Sequence, residues 1–187
     1  MRARLLDATV ACLFERGYAR TTTTLIARRA KVSRGAQLHH FRTKEALVTT
    51  AVQHLFDQRT REFLDAFARL PASANRISAA VDLLWSMISG PTFYAWLELL
   101  VAARTDARLR KTVTAICARF VDVVTSTFHA LFPSAGAAGD VAPGFAFAAL
   151  QGLALDHMVI PDAPHIGLVI ERMKLLGGIL LPRKDAP

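Results

Sequence analysis

Thr21 to Leu47 reads TTTTLIARRAKVSRGAQLHHFRTKEAL, and three hydroxyl residues divide this stretch into helices. Thr22 is placed to cap a short helix whose inner face is Leu25, Ile26 and Ala30, with Ala27 small enough to let another helix approach. Lys31-Val32 forms a turn, and Val32 supplies its apolar plug. Ser33 then caps a second short helix, Arg34 to about His40, where Leu38 and Phe41 are the main apolar side chains. Arg34, Gln37, His39 and His40 all form hydrogen bonds readily, which assigns them to an outer face. Such a helix suits insertion into a DNA major groove, where Arg and Gln pair with base edges. Thr43 caps the long helix that follows, with Lys44 in its first turn. A cation there opposes the helix dipole unless an anion such as a phosphate lies beside it.

Helical spacing continues on both sides. Leu6, Val10, Leu13 and Phe14 form the buried stripe of a first helix, ended by Gly17. Val48, Val52, Phe56, Phe63, Phe67 and Leu70 run down a long helix that Pro71 stops. Ile77, Val81, Leu84 and Ile88 mark another, closed by Gly90-Pro91, and Tyr94, Leu97 and Val101 mark the next. Leu109, Val113, Ile116, Phe120, Val124, Thr127 and Leu131 share one long helix despite the β-branched run from Val121 to Thr127. Pro133 to Pro143 reads as a loop, and its glycines form no phosphate cradle because no strand precedes them. Two last helices, about Gly144–Val159 and His165–Leu181, are separated by Pro161 and Pro164. Period-two alternation is missing throughout. The expectation is an all-α fold of about nine helices: an N-terminal three-helix helix-turn-helix domain over residues 1–54, joined to a larger helical domain over residues 55–187.

Charge is unevenly spread. Residues 1–47 hold ten Lys or Arg against three acids, or +7, leaving +1 for the rest of a chain whose formal net charge is +8. A basic head on a nearly neutral body is the footprint of a nucleic-acid-binding module joined to something else. The chain is 52% hydrophobic, with a mean hydropathy of +0.30, yet no uninterrupted apolar run reaches the ~18 residues of a membrane span. The apolar excess is expected in a core, a pocket or a subunit interface. No secretory signal is visible, and Cys12 and Cys117 read as separate buried thiols, so a cytoplasmic protein is expected.

Residues 5–47 resemble the DNA-binding region of the TetR family of bacterial regulators. The resemblance rests on Leu5-Leu6-Asp7-Ala8, Glu15-Arg16-Gly17-Tyr18, Thr21-Thr22, Ile26-Ala27, Ala30-Lys31-Val32-Ser33, Gly35, His40-Phe41 and Thr43-Lys44-Glu45-Ala46-Leu47. It implies that the second short helix reads the major groove through Arg34, Gly35, Ala36, Gln37 and His39. It also implies contacts from Thr23 and Thr24 at the preceding helix start, and from His40 and Lys44 toward the backbone. Two positions depart from the family pattern. Leu38 stands where a tyrosine usually offers a hydroxyl to phosphate, and Lys31 stands where glycine is usual, implying a strained turn or an added phosphate contact. The resemblance further implies a small-molecule effector bound in the body, a homodimer and a palindromic DNA operator, with repression the usual outcome.

Adjacent His39 and His40 point about 100° apart on a helix and lack neighbouring ligands, so no metal is expected. Asp156-His157 has no nucleophile placed by any motif, so no catalytic residue, enzyme activity or cofactor is expected, and His157 is assigned to a pocket or subunit contact. Trp85, Phe93, Tyr94, Trp96, Phe120 and Val124 are candidates for an effector cavity. Glu98, a carboxylate among Leu97, Leu99 and Leu100, is a candidate for a polar ligand group, for an arginine or for solvent. Ala148, Ala149 and Gly152, with Val169, Met173, Leu176 and Leu180, are the candidate dimer interface on the last two helices. A ligand-independent helical DNA-binding protein and a small-molecule carrier are the competing readings.

Overall fold

The computed structural model describes residues 1–71, 75–133, 135–136, 138–161 and 163–180, which form nine α-helices and no strand. In order they are α1 (Arg2–Arg20), α2 (Thr23–Arg29), α3 (Arg34–His40), α4 (Lys44–Ala68), α5 (Arg76–Ile88), α6 (Pro91–Ala103), α7 (Ala107–Leu131), α8 (Ala138–Val159) and α9 (Pro164–Leu180). The expected caps are in place: Thr22, Ser33 and Thr43 accept the backbone N–H groups of Leu25, Ala36 and Ala46. Gly17 interrupts α1 with a φ of 73° and a ψ of 169°. The β-branched run in α7 is helical, where burial of Leu109, Val113 and Ile116 overrides local propensity.

The start of α8 differs from expectation, as does the end of α1, which runs past Gly17 to Arg20. Helix α8 begins at Ala138, so Pro143 lies inside it rather than ending a loop. Pro143 is the sixth residue of α8, beyond the four N–H groups that lack a helical partner, so the helix forgoes one ladder bond there, to the carbonyl of Gly139.

By its contacts the chain divides into two compact units. The first unit comprises residues 1–60 and 90–118, the second residues 61–89 and 119–187. In the first, Leu5, Leu6, Ala8, Cys12, Ile26, Ala30, Phe41, Leu47 and Ala51 form one buried cluster joining the first four helices. Helix α6 packs along α1, burying Phe93, Ala95, Trp96, Leu99 and Ala103. Trp96 meets Phe56 edge-on at 5.1 Å, and Tyr94 stacks on Phe14 at 6.0 Å, leaving Phe14 half exposed rather than buried.

In the second unit, α5 packs against α8 and α9. Phe67 is fully buried between the rings of Phe63 and Phe132, with the Arg76 guanidinium 4.5 Å from its centroid. Leu150, Leu153, Ala154, Ile166 and Ile170 turn inward. Gly177 passes so close to α5 that a Cβ there would lie 2.7 Å from Ile77 Cγ2. Lys174, half-buried, bonds Asp82 at 2.7 Å and Glu171 at 2.6 Å.

Candidate nucleic-acid interface

The turn between α2 and α3 is made by Lys31, the one positive-φ residue other than glycine among those described, at 53°. A side chain in this left-handed region is strained, as expected where glycine is usual. Arg4 compensates from α1. Its guanidinium donates to the Ala30 carbonyl at 3.1 and 2.5 Å and to the Lys31 carbonyl at 2.9 Å, closing the end of α2.

Helix α3 corrects the expected orientation of Gln37. Its side chain is 0% exposed, and its amide donates to the Phe41 carbonyl at 2.7 Å. That carbonyl lies just past the helix end and has no intrahelical donor, so the amide serves it from within. The Gln37 Oε1 atom is buried without a partner among the described residues. Gln37 therefore cannot read a base edge in this conformation. Leu38, one of the two main apolar side chains of this segment, is 43% exposed.

The outward face of α3 is thus Arg34, Gly35, Leu38 and His39, spaced for one side of a helix. Arg34 Nη1 donates to Thr24 Oγ1 at 2.9 Å, linking this face to the start of α2. Thr23 and Ala36 are half-buried, and Thr24 and His40 are exposed. The rings of His39 and His40 meet at 89°, consistent with neighbours on a helix and unsuited to joint chelation. Among the described residues no cluster of three or more metal-ligating side chains occurs.

The basic head is less uniformly available than its charge implies. Arg29 is paired with Glu15 through two bonds of 2.6 and 2.7 Å, which hold the Glu15 carboxyl below its ordinary pKa and raise that of Arg29. Arg4 is committed to backbone carbonyls. Lys44, expected to point at phosphate, donates to the Tyr18 carbonyl at 2.6 Å and lies 3.9 Å from the centre of the Tyr18 ring. Burial lowers its pKa and raises that of the Tyr18 phenol. Arg28, Lys31, Arg34 and Arg42 are exposed.

The residues expected to bind a ligand separate into the two units: Phe93, Tyr94, Trp96 and Glu98 in the first, Trp85, Phe120, Val124 and His157 in the second. Glu98 meets a partner that the sequence had not suggested. Its Oε2 accepts the Tyr18 backbone N–H at 2.7 Å, so the carboxylate serves α1. In the second unit Trp85 meets His157 edge-on at 5.5 Å, His157 Nδ1 lies 2.8 Å from the Pro161 carbonyl, and Phe120 packs on Phe147 at 4.7 Å. A shallow groove of about 590 Å³ lined by Arg4, Asp7, Ala8, Ala11, Arg29, Ala30 and Lys31 touches none of these eight residues.

On α8, Ala148 and Gly152 are exposed and Ala149 is half-buried. Nothing lies within 4 Å of where a Gly152 Cβ would stand. They belong to a longer stripe of Val141, Phe145, Ala148, Gly152, Leu155 and Val159, every member exposed. On α9, Val169 and Leu176 are exposed and Met173 is half-buried; Leu168, Leu175 and Ile179, which pattern alone had not singled out, are exposed as well. Leu180 has its side chain outside the described residues.

Residues 5–51 match the family model for bacterial regulatory proteins, tetR family. The chain is 32% identical over 129 residues to an uncharacterized HTH-type transcriptional regulator of Mycobacterium tuberculosis, covering 69% of this chain and 66% of that one, just under two thirds of the relative's length. It is 30% identical over 157 residues to the HTH-type transcriptional regulator CymR of Pseudomonas putida, covering 82% of this chain and 77% of that protein. The solved structure of the transcriptional regulator FadR from Bacillus subtilis, in complex with stearoyl-CoA, superposes with a TM-score of 0.72 at 15% identity, covering 96% of this chain and 97% of that one. Likeness at that identity bears on the fold alone. The two relatives are regulators, not enzymes, and among the described residues no helix is long and apolar enough to cross a membrane.

Proposed function

The chain belongs to the TetR family of bacterial regulatory proteins, and we propose that it is a repressor which leaves a palindromic DNA operator when a small, largely apolar ligand binds its body. The observation that carries this reading is the outward face of α3, which sets Arg34, Gly35, Leu38 and His39 together on a head of charge +7. Arg34 is suited to a guanine edge, Leu38 to the methyl of thymine, and Gly35 to close approach of the backbone. Thr23, Thr24, Ala36 and His40 flank that face, and Arg28, Lys31 and Arg42 supply phosphate contacts that position it without reading sequence. Lys44 joins them through the protons its ammonium does not give to Tyr18. Gln37 acts from within, as the support of α3.

One recognition helix reads only a few base pairs, so specificity requires a second copy related by a two-fold axis. The apolar stripe of α8, together with Leu168, Leu175, Leu176 and Ile179 of α9, is the surface we assign to that copy. Residues 55–187 hold the ligand, with Trp85, Phe120, Val124 and His157 as its proposed contacts. The ligand acts by population shift, binding better to the arrangement of the two heads that does not fit the operator. The protein works in the cytoplasm, where its DNA is.

Selection of duplexes from a random library by the full-length protein tests this. The expected product is an inverted repeat. A thermal-shift screen of apolar compounds is then expected to yield one that raises the melting temperature and weakens binding to that duplex. Stabilisation without release from DNA points to a carrier, and release by no compound points to a ligand-independent DNA-binding protein. A library from which no duplex is enriched overturns the whole reading.

A further inference from the structure

Gly17 breaks α1 with a φ of 73°, and its ψ of 169° turns the following N–H, that of Tyr18, off the helical ladder. Glu98 of α6 takes up this donor at 2.7 Å. The approach is close: a Cβ at Gly17 would lie 2.8 Å from Glu98 Oε2 and would push that carboxylate aside, while the backbone angle itself calls for glycine. Tyr18 is held at its other end by Lys44, whose ammonium donates to the Tyr18 carbonyl at 2.6 Å and sits 3.9 Å from the centre of its ring. One residue of α1 is therefore gripped by a carboxylate of α6 at its N–H and by a cation of α4 at its carbonyl. Thr21 Oγ1 closes the same turn by donating to the Gly17 carbonyl at 2.8 Å.

The neighbours of Glu98 in sequence are Leu97, Leu99 and Leu100, and packing of such a helix needs no carboxylate. We propose that Glu98 is a positioning residue for DNA binding: without touching the duplex, it fixes through Tyr18 the place of Lys44 and the start of α4. The inference rests on the DNA-binding reading above. A charge-assisted bond to a backbone N–H is strong enough to matter, and its loss leaves a half-buried amide without a partner.

The test uses the full chain and the duplex that wild type selects, with affinity measured on the active fraction at several salt concentrations. Glu98→Ala is expected to weaken binding about tenfold, with base preferences unchanged. Glu98→Gln keeps an oxygen that accepts the same N–H and is expected to restore most of the affinity. In a Lys44→Ala background, Glu98→Ala is expected to cost less than about threefold, because the cation it positions is already gone. Slow hydrogen exchange of the Tyr18 amide, retained in Glu98→Gln and lost in Glu98→Ala, reports the contact itself.

Unchanged affinity in Glu98→Ala overturns the proposal, and so do additive losses in the double variant. Tighter binding by both neutral variants also overturns it, since that is the mark of a carboxylate merely repelling phosphate. Should Glu98→Ala lose its helicity, Glu98→Asp, one methylene shorter in reach, carries the same comparison. A wild-type protein that selects no duplex brings down the DNA-binding reading and this inference together, whereas the other outcomes bring down this inference alone.

Discussion

The exposed faces of α3 and α8 are opposite in character. The face of α3 shows one apolar side chain, Leu38, among Arg34, Gly35 and His39. The face of α8 shows Val141, Phe145, Ala148, Gly152, Leu155 and Val159, at spacings of four, three, four, three and four, with no charge among them. Water tolerates the first face well, and what that face gains on contact is electrostatic and specific. The second is costly in water, with Phe145 63% and Val159 73% exposed, and is relieved by any matching apolar surface. Exposure alone does not name a partner. The chemistry of the exposed atoms narrows it, to a polyanion in one case and to an apolar surface in the other, for which a second copy of the chain is the occupant proposed above.

The comparison is broken most completely at the apolar face. Gly152→Arg together with Leu176→Glu places charges on α8 and α9 where Gly152 has open space and Leu176 is exposed in the single chain. We expect a helical monomer by sedimentation, with operator affinity lowered by about 100-fold or more, since one head alone reads too few base pairs. A variant that stays dimeric at the same concentration shows that the second copy sits elsewhere.

The polar face is tested next, by base preference. Arg34→Ala is expected to relax specificity at one base pair, at a cost of about 1–3 kcal/mol. Leu38→Ala is expected to abolish the distinction between thymine and uracil at one position of each half-site, worth about 0.8 kcal/mol for the lost methyl contact. Gln37→Leu is the control for base contact: it removes the amide that supports α3 from within, so it is expected to lower stability and overall affinity while leaving both base preferences intact. The measurement is competition binding with single-site duplex variants. A preference that shifts in Gln37→Leu and not in Leu38→Ala returns Gln37 to the outer face.

These positions also show what the sequence made legible and what it did not. The three caps were readable because each depends on local chemistry, whereas a strained turn at Lys31 was expected only from the resemblance, in which glycine is usual at that position. The orientation of α3 was not readable. Seven residues make two turns, too few for periodicity to settle which way Gln37 faces, and its polar amide put it on the outer face. The deciding factor was the Phe41 carbonyl, which needed a donor from a residue one turn earlier. On α9 the phase was ambiguous because apolar residues occur on several sides; Lys174 pairing with Asp82, and Gly177 passing against Ile77, turn Met173 partly inward. Both partners belong to α5, about a hundred residues earlier in the chain. Glu98 likewise found its partner in a backbone N–H eighty residues away, which no spacing rule announces.

A smaller effect is expected at the turn that presents the polar face. Lys31→Gly relieves the positive φ, whereas Lys31→Ala retains the strain, and both remove the same charge. Glycine is expected to exceed alanine by about 0.5–1 kcal/mol in thermal or denaturant unfolding. If Lys31 also touches phosphate, both variants flatten the salt dependence of operator binding equally. Equal stability of the two variants removes the argument for strain.

The smallest expected effect concerns which cations the polar head can offer. Arg29 is paired with Glu15, and its hydrogen bonds hold the Glu15 carboxyl below the ordinary value of 4.5. A carboxyl whose pKa is depressed in the folded state binds its proton less readily there than in the unfolded chain. Its contribution to stability is therefore fully present above the unfolded value and is lost as pH falls through the lower, folded one. Both side chains are largely exposed, so the contribution is small and screened by salt. Glu15→Gln isolates it from the other carboxylates. The melting temperatures of wild type and variant are expected to differ by a small constant amount from pH 7 to about pH 5, and to converge below the ordinary carboxyl range. Raising the ionic strength at pH 7 is expected to narrow the same gap. A gap that widens as pH falls means that Glu15 is not stabilised by Arg29, and that Arg29 belongs among the cations available to DNA.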